Sequence, residues 1–121
     1  MSRTLLVSLV ALAGLAVAGA ALGSAQSRPS IHVQQSSVAP GGRVTVYGSV
    51  GSCESGDVTV ISRAFPGHAF GEGALTGPVS AANHTFTIRG HVRSHLHARK
   101  YAITARCGGG NLGVKGHVRV S

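Results

Sequence analysis

The chain has 121 residues, with 11 Lys and Arg against 3 Asp and Glu, for a formal net charge of +8 with histidine neutral. That length suits a single domain. Its only carboxylates, Glu54, Asp57 and Glu72, are too few to stage paired acid–base catalysis, and the positive balance favours anionic partners.

The first segment reads as a secretion signal. Arg3 supplies a positive start, Leu5 to Val17 is an uncharged apolar run, and Gly23-Ser24-Ala25 matches a small-x-small cleavage site. The expected division is a signal peptide over 1–25 and a domain over 26–121, with Ala20 or Gly23 as other cleavage points. A membrane anchor is the competing reading, since Leu5 to Leu22 is about long enough to span a bilayer. Its many Ala and Gly make it weakly apolar, and a cleavage site follows it directly, which favours the signal. There is no twin-Arg pair and no cysteine before Cys53 to carry a lipid. The expected location is secreted and extracellular.

Without Arg3, ten Lys and Arg face the three carboxylates, and seven His add positive charge below about pH 6.5. A domain of roughly a hundred residues has a modest core, and this one has no Trp. Two cysteines in a secreted chain predict a Cys53–Cys107 disulfide. Closing a loop of that length stabilises by about 4 kcal/mol.

From Ile31 onward the dominant period is two. Arg43-Val44-Thr45-Val46-Tyr47, Asp57-Val58-Thr59-Val60, His84-Thr85-Phe86-Thr87-Ile88-Arg89, Tyr101 to Cys107 and Val114 to Val120 all alternate apolar with polar positions. This is the signature of half-buried strands. Pro40-Gly41-Gly42, Gly51-Ser52, Pro66-Gly67, Gly77-Pro78 and Gly108 to Asn111 separate them as turns. Seven strands are predicted, near 31–34, 43–50, 57–63, 73–75, 84–92, 99–107 and 113–120. The fold class is all-β: an immunoglobulin-like antiparallel sandwich of about seven strands with one inter-sheet disulfide. Cys53 follows the second strand and Cys107 ends the sixth, the two strands that the immunoglobulin bridge joins. Alternation points Val44, Val46, Val58, Val60, Phe86, Ile88, Ile103, Ala105, Val118 and Val120 inward, together with Ile31, Val33 and Tyr101.

Val38-Ala39-Pro40-Gly41-Gly42-Arg43-Val44-Thr45-Val46, then Cys53, Val58-Thr59-Val60, Ala64-Phe65 and Tyr101 to Cys107, resemble small secreted immunoglobulin-like proteins of actinobacteria such as streptomycetes. The similarity spans nearly all of the expected mature chain. Where that family usually has Pro-Gly-Thr before the Tyr of the sixth strand, this chain has His97-Ala98-Arg99-Lys100, so a different turn is expected there. The resemblance implies fold and secretion and supplies no reaction. A looser likeness, to carrier apoproteins of the neocarzinostatin type, implies a small-molecule carrier as the alternative function. Those proteins are acidic with two disulfides, whereas this chain is basic with one possible bridge.

Two basic regions are candidate anion-binding sites. The densest is Arg89 to Lys100, holding Arg89, Arg93, Arg99 and Lys100, placed at the end of the fifth strand and the loop after it. The second follows from strand geometry. The third, sixth and seventh strands should share a sheet, whose outer face would carry Arg63, Thr104, Arg106, Lys115, His117 and Arg119. Such faces suit an anionic cell-wall polymer, lipid or polysaccharide. With few aromatics to stack bases, they do not read nucleic-acid sequence. His91, His95 and His97 match no metal signature, and no cofactor is called for. There is no nucleophile elbow, and both cysteines are assigned to the bridge. Asn83-His84-Thr85 fits the glycosylation pattern and is expected to stay bare in a bacterial protein. The expected function is a secreted, non-enzymatic binding or surface-associated module.

Overall fold

The computed structural model describes residues 28–121, so the signal peptide expected over 1–25 lies outside the described residues. Seven strands form there: β1 (Ser30–Val33), β2 (Arg43–Ser49), β3 (Asp57–Ile61), β4 (Ala74–Pro78), β5 (Thr85–His91), β6 (Arg99–Cys107) and β7 (Gly110–Val120). A three-stranded sheet in the order β1-β2-β5 packs on a four-stranded sheet in the order β4-β3-β6-β7. The strands within each sheet pair antiparallel. This is the immunoglobulin-like sandwich, with the third, sixth and seventh strands side by side as expected.

Alternation builds the core. Val44 and Val46 from one sheet meet Val58, Val60, Ile103, Ala105 and Val118 from the other, all at 1% exposure or less. Burying β-branched side chains between pleated sheets is the main favourable term in such a fold. Residues outside the alternating runs complete the interior. Val38, Val50, Ala64, Phe65 and Val92 sit in connections and close the ends of the sandwich.

Three boundaries differ from the sequence reading by more than one residue. β7 starts at Gly110 rather than 113, because Cys107 pairs with Gly110 and only Gly108-Gly109 make the turn. Gly108 takes φ +63°, which a residue with a Cβ adopts only under strain. β4 runs on through Gly77-Pro78, and Pro is tolerated because this is an outer strand of its sheet. β3 stops at Ile61, which leaves Arg63 in the turn beyond it.

Both sides of the sandwich are stitched between sheets. Val38 forms a parallel bridge to Val120, with Val38 N donating to Arg119 O and Ser121 N donating to Val38 O. On the other side Val79 bridges Phe86. β1 also lies close over β7: a Cβ on Gly116 would stand 2.9 Å from Ile31 Cγ2. The Cys53–Cys107 disulfide, with Cα atoms 6.0 Å apart, ties the β2–β3 crossover to the end of β6 and so links the two sheets. Such a bond is consistent with an extracellular location. No helix of the described residues is long and apolar enough to cross a membrane.

Candidate functional site

The outer face of the four-stranded sheet gathers cations from three separate stretches of sequence. Lys100 stands opposite Arg119, Ala102 opposite His117, and Thr104 opposite Lys115. Arg106 lies farther along β6, opposite Thr59 and Asn111. Period two places all of these side chains on one face. Directly opposed residues have Cβ atoms about 5 Å apart, and diagonal neighbours about 7–8 Å. Arg63 joins the group from beyond β3: with Glu72, Arg99, Lys100, Tyr101 and Ala102 it lines one cleft. Exposed Ala102, with almost no side chain, opens this cleft beside Arg63, Arg99 and Lys100, while its ladder partner His117 and Arg119 stand on the neighbouring strand.

The face is polarised along its length. Lys100, Arg119 and Arg63 lie at the end where β6 begins. Glu54 and Asp57 lie at the other end, beside Cys53 and the Val58–Cys107 pair. Glu72 is the one carboxylate beside the cationic end. Three carboxylates cannot neutralise the ten Lys and Arg of residues 28–121 even if every one is paired.

The segment richest in charge does not form one patch. Arg89 lies in β5 opposite Thr45, on the outer face of the three-stranded sheet. Arg99 and Lys100 belong to β6, and the Arg99 guanidinium sits 5.2 Å from the Tyr101 ring centroid. Arg93 turns toward the β3–β4 connection instead of solvent. Its Nε donates to Phe65 O at 2.6 Å, and its Nη2 donates to Gly67 O at 2.6 Å and to Glu72 O. A guanidinium offers five donors in a rigid fork, and here it holds a loop in shape. Tyr101 completes this end of the fold: its hydroxyl donates to His97 O at 2.9 Å, a tyrosine corner at the entry to β6. His91, His95 and His97 are exposed, and no group of three potential metal ligands forms among the described residues.

Sequence reasoning missed Phe70. It sits in a short 3-10 turn over 69–71, exposed at 61%, with φ +57°. Its ring lies 5.0 Å from the Arg106 guanidinium. Arg106 also donates from Nη2 to Gly109 O at 2.7 Å, while its enclosed Nε has no hydrogen-bond partner. The ring face is thus the neighbour that answers that part of the cation. No alternation or charge pattern marks Phe70 in the sequence.

The chain matches no family model and no curated protein sequence.

Proposed function

We propose that this chain is a secreted, non-enzymatic binding module, of the kind that its resemblance to small secreted immunoglobulin-like proteins implies, and that the outer face of β3, β6 and β7 engages an anionic polymer of the cell envelope. The observation that carries the reading is the direct opposition of Lys100 and Arg119 on neighbouring strands. Like charges directly across a ladder destabilise it, and Arg63, His117 and Lys115 add to the same field. A chain of phosphates or carboxylates laid along the face relieves that repulsion and releases counterions. Its binding then falls steeply with salt. The face is flat and its cations come from four strand positions and a turn, so it recognises charge spacing rather than a single small anion.

A carrier function requires an apolar space between the sheets. That space is occupied by Val44, Val46, Val58, Val60, Phe65 and Ile103, all fully buried, which supports the surface reading instead.

The test is titration of the purified protein with inorganic polyphosphate at rising salt, beside a Lys100→Glu/Arg119→Glu variant. The expected result is binding at low salt that weakens steeply with ionic strength and is lost in the variant. Absence of binding at low salt, or binding indifferent to the charge reversal, removes the proposal.

A further inference from the structure

Phe70 is exposed on a segment that is far from loose. Within the β3–β4 connection, Phe65 N donates to Ser62 O, Ala74 N to Pro66 O, Ser62 N to Gly73 O, Gly71 N to His68 O and Glu72 N to Ala69 O. Arg93 then binds the carbonyls of Phe65, Gly67 and Glu72 from outside. Phe65 anchors the loop in the core at 0% exposure. Gly73 is packed so closely that a Cβ there would fall on Phe65 O. At the tip of this braced loop stands a bulky residue with φ +57°, a conformation that costs energy for any residue with a side chain. Strain that the surrounding structure over-determines collects at ligand clamps. Arg106 is the ring's one cationic neighbour, and the residue is nonetheless 61% exposed, more than that contact needs.

The ring's orientation indicates what it meets. The ring meets the Arg106 guanidinium, and with 61% of the residue exposed it stays open to solvent. A ring held beside a guanidinium on a braced loop is a platform, not a wedge to insert between lipid tails. It lies on the same outer face as Lys100, Thr104 and Lys115. From Lys100 to Arg106 is about 20 Å of strand, enough for several units of an extended polymer.

We propose that Phe70 is the stacking platform for a sugar ring, and that the polymer bound by the basic face is an acidic polysaccharide whose carboxylates meet Lys100, Lys115 and Arg119. This rests on the basic-face reading above and adds its substrate class. A pyranose ring has an apolar C–H face that packs on an aromatic ring, and a uronate carries its carboxylate at the ring edge, where the cations stand.

Calorimetric titration with two probes separates the two readings: polygalacturonate, which has charges and sugar rings, and inorganic polyphosphate, which has charges alone. Phe70→Asn keeps a residue that tolerates the left-handed backbone and removes the ring. It should weaken polygalacturonate binding about five- to tenfold while changing polyphosphate binding less than about twofold. Phe70→Tyr should restore the glycan affinity. Equal losses for both probes, no loss for either, or a parent protein that binds polyphosphate but not polygalacturonate would overturn the stacking role and leave the basic face standing. A parent protein that binds neither probe overturns both.

Discussion

Lys100 and Arg119 face each other directly across the β6–β7 ladder, with no intervening residue to separate their charges. Under the proposed function the pair sets stability against binding. Arg119→Glu turns repulsion into attraction and should raise stability by about 0.5 kcal/mol at low salt. The same change should weaken polyphosphate binding about tenfold. Thermal unfolding and titration on the same sample check it: the two quantities must move in opposite directions. A variant that loses both stability and binding would mean that Arg119 serves the fold.

Arg93 should behave the other way. Arg93→Met removes the donors to Phe65 O, Gly67 O and Glu72 O. Charge-assisted bonds of this kind are worth about 1.5–3 kcal/mol each and do not add in full, so a loss of roughly 3 kcal/mol is expected. Denaturant unfolding measures the loss, and limited proteolysis should cut first within residues 62–73. Binding of polyphosphate by the folded variant should change little, because this cation faces the loop.

The disulfide encloses a separation of 54 residues. Cys53→Ser combined with Cys107→Ser should cost about 4 kcal/mol. The expected sign is a large drop in Tm that reductant reproduces in the parent protein and cannot deepen in the variant. Polyphosphate binding by the fraction that remains folded should persist, since Lys100 and Arg119 lie at the other end of β6 from Cys107.

Tyr101→Phe tests the corner. It deletes only the hydroxyl that donates to His97 O. A loss of about 1 kcal/mol is expected, read by chemical denaturation. This bond holds the turn into β6, and the variant should unfold faster rather than bind less.

Much of the fold was legible because half-buried strands write their period into the sequence. Val44, Val46, Ile103 and Val118 point inward as alternation predicts, and six of the seven strands start within a residue of their expected positions. β7 is the exception, because Gly108 to Asn111 reads as a turn even though Gly110 and Asn111 carry the ladder. The site was legible only in part. Lys100, Arg106, Lys115 and Arg119 come together because strand pairing brings distant residues side by side. Arg89 and Arg93, their neighbours in sequence, are carried to the opposite sheet and into a loop. Charge density along the chain records composition, whereas charge density on a face depends on register. Phe70 left no trace, since its position depends on a loop whose shape is set by Arg93 and by carbonyls scattered over residues 65–72.

The stitch between Val38 and β7 also gives the domain a mechanical character. The pairing of Val38 with Val120 is parallel, and its two hydrogen bonds join the segment after β1 to the end of β7. A pull that separates the two ends of the domain loads those bonds together, in shear, instead of peeling them one after another. The Val38–Val120 pairing is therefore the part of the fold that meets such a pull before the antiparallel ladders are peeled.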